Sequence, residues 1–192
     1  MLEFIEESHT YIKDGIILKS VTQILQELFP EKYDGIPKKI LEDKSIYGTD
    51  VHKFIEIIET KKPKQPLAYI NRYFKPNIYQ IESLKDYLKI KEKYNINITE
   101  CEKMVSYEYN YAGRLDLKGY VNGKSAIIDI KTTYELDELY VSIQNSLYEL
   151  ADEPVEELYC LWLPKGRLGK LVKLERIDKN YLLTIIEEEK NE

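Results

Sequence analysis

The segment LDLKGYVNGKSAIIDIK, residues 115 to 131, contains two apolar, β-branched runs around Asn122-Gly123. That dipeptide is the strongest hairpin signal a two-residue loop can carry. With Asn122 and Gly123 as the turn, Val121 pairs with Lys124. Stepping outward, Asp116 then pairs with Asp129, and Arg114 with Lys131. Alternation of side chains puts Leu115, Leu117, Gly119, Ala126, Ile128 and Ile130 on one face, which predicts the core face. Asp116, Lys118, Asp129 and Lys131 share the other. Directly opposed residues have Cβ atoms about 4.5–5.5 Å apart. Two carboxylates at about 5 Å repel by roughly 3 kcal/mol at an effective dielectric near 20. Protonation of one acid, the neighbouring Lys131 and Arg114, or a hard divalent cation would offset that repulsion. Two readings stay open on these strands alone: a metal site, or a solvated outer face carrying a salt-bridge patch. A β-bulge would shift the register.

Outward from the hairpin, the pattern predicts helices on both sides of the strands. Asp14-Gly15 marks a short hairpin over residues 10 to 18. Ser20 stands where an N-cap belongs, ahead of VTQILQELF, and Pro30 with KYDGIP closes that helix. A second helix, VHKFIEIIET, is expected to start at a Thr49 or Asp50 cap. Its Val51, Phe54, Ile55 and Ile58 form an i, i+3, i+4, i+7 stripe. Residues 60 to 66 read as a loop, 66 to 94 as helical and 101 to 133 as strands. Residues 137 to 151 read as a helix. EELYCLWLPK and GKLVKLERI form a second hairpin near Gly166, and a last helix with an acidic, frayed end starts at Asp178.

The chain has 192 residues, 43% hydrophobic and 32% charged, the size and composition of one domain over residues 1 to 192. No apolar run reaches membrane-spanning length. The opening MLEFIEESHT has acids where a signal peptide has a basic end, so a cytoplasmic protein without a membrane partner is expected. Cys101 and Cys160 are too few for a disulfide framework or an iron–sulfur cluster. The net charge of −6 argues against coating duplex DNA by bulk charge but leaves room for a local basic groove. Most of the 17 tyrosines are expected in packing. Tyr69, Tyr73 and Tyr79 are candidates to line a strand passage, since tyrosine stacks on single-stranded bases. His9 reads as structural.

Several motifs in order carry a resemblance. Tyr111-Ala-Gly113-Arg-Leu-Asp116 precedes Ile127-Ile-Asp129-Ile-Lys131-Thr132. Gln144 and Tyr148 follow at helical spacing. Upstream stand Gly48-Thr-Asp-Val-His52 and Ser20-Val21-Thr22. This arrangement resembles the RecB-like branch of the PD-(D/E)XK nuclease superfamily, from residue 20 to about 150. The resemblance implies an α/β fold with a restriction-endonuclease-like core: a central mixed sheet whose catalytic antiparallel hairpin is flanked by helices. It implies Asp116, Asp129, His52 and the backbone carbonyl of Ile130 as metal ligands. Lys131 would position or activate water and stabilise charge at the scissile phosphate. Gln144 and Tyr148 would brace the site and contact nucleic acid; Gly113 would allow close approach of substrate. Ser20 is first an N-cap and secondarily a candidate phosphate contact. Glu102 falls near an acidic position of some relatives.

The implied reaction is Mg2+-dependent hydrolysis of DNA, with Mn2+ as a substitute, on a single strand with a free end. The alternatives are a structure-specific or restriction-like endonuclease, or a non-catalytic DNA-binding module of the same fold. No GxxxxGK[ST] motif is present, so unwinding would need a helicase or recombination partner.

Overall fold

The computed structural model describes residues 1 to 188. The chain opens with three short strands, β1 (Leu2–Ile5), β2 (Thr10–Lys13) and β3 (Ile16–Ser20). Four helices follow: α1 (Val21–Leu28), α2 (Lys38–Lys61), α3 (Pro66–Phe74) and α4 (Ile78–Lys93). Then come β4 (Asn97–Tyr107), β5 (Tyr111–Val121), β6 (Lys124–Lys131), α5 (Glu138–Leu150), β7 (Glu157–Trp162), β8 (Lys170–Leu174) and α6 (Lys179–Glu188). The eight strands form one mixed sheet, with β3–β5 and β6–β7 parallel and the other pairs antiparallel. Helices cover both faces. One core joins the sheet to α1, α5 and α6 through residues such as Leu25, Leu115, Ile127 and Leu147. The other joins it to α2, α3 and α4 through Ile55, Leu84, Leu117 and Ile128. Among the described residues, no helix is long and apolar enough to cross a membrane.

Local chemistry explains the elements. Asn122 and Gly123 have φ of 50° and 85°, the left-handed pair that a tight hairpin turn needs. Asp14 and Gly15 repeat it at 51° and 84°. Ser20 caps α1 by accepting from Gln23 N, while the Gln23 side chain accepts from Ser20 N, a reciprocal capping box. Asn77 and Gln80 cap α4 in the same way, after Lys75 and Pro76 break the 66 to 94 region into two helices.

One expectation is corrected outright. The second helix starts at Lys38, not at a Thr49 or Asp50 cap. From Lys38 to Ile46 every side chain is exposed except the half-buried Leu41, so these turns carry no apolar stripe. Asp50 sits inside the helix and accepts from Gln80 Nε2 at 2.8 Å. At the far end, buried Glu59 accepts from Tyr87 Oη at 2.6 Å and pairs with Lys91, tying α2 to α4. The short strand β1 was not anticipated. The expected acidic, frayed tail beyond residue 188 lies outside the described residues.

The sheet has a fork that positions the site. β4 occupies one edge of β5 for nearly its whole length. The opposite edge is shared. β3 pairs with Tyr111 and Ala112, and β6 pairs with Leu117 to Val121. Gly113 to Asp116 lie between these two partners.

Candidate active site

The hairpin register is the one that the Asn122-Gly123 turn dictates, from Val121↔Lys124 to Leu117↔Ile128. There the ladder stops. Asp116 does not face Asp129 across it, and Arg114 does not face Lys131. The Asp116 carboxylate itself enters the gap, and its Oδ2 accepts the Ile130 N–H at 2.6 Å. A side chain thus substitutes for a strand carbonyl. Leu115 and Leu117, two residues apart, pack into different cores around this point. Arg114 turns to Glu102, with Nε 2.7 Å from Oε2, and lies over the Phe4 ring.

The charged groups at the fork are not a solvated outer face. Asp129 is 2% exposed. The side chains of Asp116, Lys131 and His52 retain 14%, 21% and 28% of their exposure. α2 brings His52 in: Gly48, one turn earlier, lets the helix lie against Thr132, where a Cβ would stand 3.0 Å from Thr132 Oγ1. His52 Nδ1 is then 3.3 Å from Asp116 Oδ1. Glu102 arrives from β4 at a residue with φ of 51°, a left-handed conformation unusual in a strand. His52, Glu102 and Asp116 each offer a donor atom, all within 4.8 Å of one another.

Asp129 and Lys131 form the second half of the site. Lys131 Nζ lies 2.7 Å from Asp129 Oδ2 and donates to Gln144 Oε1 at 2.9 Å. Gln144 Nε2 in turn donates to Tyr148 Oη at 3.2 Å. Asp129 is buried, so its charge rests on this lysine. α5 therefore supplies the brace for Lys131 through two residues on one helix face.

The electrostatics follow from burial. Burial raises the Asp129 carboxyl to about 6; nearby Asp116 adds to that and Lys131 opposes it. Burial and the Asp116 charge push Glu102 up to about 7, against the pull of Arg114. Asp116 moves the other way. Its burial cost is outweighed by His52, Lys131 and the Ile130 N–H. Burial disfavours the charged form of His52, but the Asp116 carboxylate outweighs it and raises the imidazole. Lys131 is likewise raised by Asp129 and Asp116 in spite of burial. Both acids thus favour its charged form.

His52, Asp116, Asp129, Lys131, Gln144 and Tyr148 are brought together. Ile130 meets the site through its N–H on Asp116. Ser20 is occupied as an N-cap. Gly113 makes room for a side chain of the protein: a Cβ there would sit 2.6 Å from the Tyr148 ring and 3.1 Å from Val21. Glu102, which motif spacing placed only loosely, belongs to the three-donor cluster, whereas Asp129 does not. The distorted β4 that delivers it has a register shift between Ile98 and Glu100, and no local sequence signal marks it.

No protein-family model matches the chain, and no curated protein does. Solved structures similar to it include the crystal structure of SSO0001. It is 20% identical, covers 86% of this chain and 82% of that one, and has a TM-score of 0.39. A likeness at that level carries no argument about activity.

Proposed function

We propose that this chain is a metal-dependent deoxyribonuclease with a restriction-endonuclease-like core, of the PD-(D/E)XK type, acting on single-stranded DNA with a free end. One observation carries the reading. The buried Asp129, paired with Lys131, stands beside a three-donor cluster of His52, Glu102 and Asp116, where the β5–β6 ladder stops. Asp129 is buried and its Oδ2 lies 2.7 Å from the Lys131 ammonium, so acid and lysine are held as one unit beside the cluster.

The donor set suits Mg2+ or Mn2+. Carboxylate oxygen and imidazole donors are hard to intermediate, the chemistry such ions take. His52, Glu102 and Asp116 would hold the ion, with Asp129 bordering it. Such an ion lowers the pKa of bound water and polarises a phosphoryl oxygen. The chain's own residues do the rest. Lys131, fixed by Asp129 and Gln144, presents a permanent positive charge to the phosphate as negative charge develops. Tyr148 and Gln144 hold the lysine's rotamer. Water oxygen bonds to phosphorus and releases a proton to solvent, the bond to the 3′ oxygen breaks, and that oxygen takes a proton from solvent. The products are a 5′-phosphate and a 3′-hydroxyl.

End-labelled single- and double-stranded oligonucleotides, each end blocked in turn, test this in Mg2+, in Mn2+ and with chelator. Cleavage of free-ended single strands is expected, lost in chelator and in folded Asp129→Ala and Lys131→Ala variants. A circular single strand should survive; its cleavage would indicate an endonuclease. No cleavage of any substrate in either metal would overturn the proposal.

A further inference from the structure

A cation–aromatic surface lies beside Lys131 and outside the metal cluster. Parallel pairing sets Trp162 directly across from Lys131, and Leu163 N donates to Lys131 O at 2.7 Å. Parallel partners point to the same face of a sheet about 4.8 Å apart. The indole therefore lies one strand away from the lysine. Its ring is fixed by Nε1 donating to Thr133 O at 2.8 Å. The loop from β7 to β8 then supplies two cations. Arg167 lies 4.1 Å from the Tyr134 ring centre and 5.4 Å from that of Trp162. Lys165 lies 5.0 Å from the Tyr79 ring centre. Tyr134 is 61% exposed and Tyr79 43%. A hollow of about 420 Å³ opens between Tyr134, Trp162, Arg167 and Lys170, at the carboxyl ends of parallel strands, where open α/β sheets place their ligands. Glu135 and Glu138 also line it. That mixed charge suits flat aromatic partners better than a phosphate held by cations alone.

We infer that Tyr134, Trp162 and Arg167, continued by Lys165 and Tyr79, form a stacking platform for the unpaired bases next to the scissile phosphate. This inference rests on the nuclease reading and names where that site holds its strand. Rigid aromatic faces with interleaved cations are the usual means of gripping a single strand without reading its sequence.

Trp162 is the chain's one tryptophan, so its fluorescence, excited at the red edge where tyrosine does not absorb, reports this platform directly. The full chain is titrated with a short oligothymidylate, with Ca2+ in place of Mg2+ to leave the strand uncut. Anisotropy of a labelled strand is followed in parallel. Quenching of Trp162 on binding is expected. Tyr134→Ala and Arg167→Ala should each weaken the strand roughly 5- to 100-fold, the range of one lost base stack. Both side chains are at the surface, and circular dichroism checks the fold. If the protein cuts and binds strands with unchanged Trp162 emission and unchanged affinity in both variants, the platform is wrong and the nuclease reading stands. Quenching without cleavage in any metal overturns the nuclease reading alone. Neither cleavage nor binding overturns both.

Discussion

Glu102→Gln should make the metal-free protein more stable, and only at high pH. The Glu102 carboxyl is raised from 4.5 to about 7 by burial and by Asp116. A raised carboxyl means that the folded protein holds its proton more tightly than the unfolded chain. Stability contributed by that proton is present below pH 4.5 and is lost as pH rises through about 7. Above that, the folded state carries the cost of a buried charge. At 1.36 kcal/mol per unit the shift corresponds to about 3 kcal/mol. The side chain keeps 23% of its exposure, and solvent screening reduces this to about 1–2 kcal/mol. Glutamine mimics the protonated form and removes the cost. In a domain of this size that raises Tm by about 2–8 °C at pH 8 and leaves it unchanged at pH 5. The assay is thermal and urea unfolding in chelator at both pH values. In Mn2+ at pH 8 the order should reverse, because the wild type gains binding energy and the variant has lost a donor. A variant that is equally destabilised at pH 5 and pH 8 would refute the claim that Glu102 is held as a half-buried acid with a raised pKa.

Gly113→Ala drives a methyl into the Tyr148 ring and should cost about 1–3 kcal/mol. In a Tyr148→Ala background that cost should largely disappear, and simple additivity in urea unfolding would show the ring is not the obstacle. Gln144→Leu frees Lys131 from its brace, with an expected loss of 10- to 100-fold in cleavage rate, the scale seen for partners that orient active-site groups. Full activity would remove Gln144 from the site. Away from the site, Glu157 is held at about 2 by hydrogen bonds from Lys124, Tyr159 and Lys173. A depressed carboxyl stabilises above its unfolded value and loses that as pH falls toward about 2. With both lysines largely exposed, Glu157→Gln should cost about 1 kcal/mol at pH 7 and nothing near pH 2; a cost that persists there would point to packing instead.

The hairpin was legible because Asn122-Gly123 fixes both turn type and register, and the ladder follows it to Leu117 and Ile128. What the sequence could not show is where a side chain replaces a backbone partner. Alternation predicts Asp116 opposite Asp129, yet the Asp116 carboxylate binds the Ile130 N–H and ends the pairing. Glu102 was illegible for the same kind of reason, since its direction depends on a left-handed residue and a register shift in β4. The first turns of α2 were missed because they bury no stripe for periodicity to reveal. His52, Lys131 and Gln144 were named through motif order, and the structure brings them together.

The fork in the sheet also bears on how the chain folds. β3 meets β5 through Lys19↔Tyr111, a pairing of residues far apart in sequence, whereas β5–β6 and β7–β8 are local hairpins. Local hairpins close quickly and distant pairings late, because loop-closure entropy is offset only by contacts that come afterwards. His52, Glu102, Asp116, Lys131 and Gln144 lie on five different elements. A partly folded chain with only its hairpins formed therefore holds no complete set of reactive groups. On the proposed nuclease reading, cleavage would begin only once the long-range closure is finished.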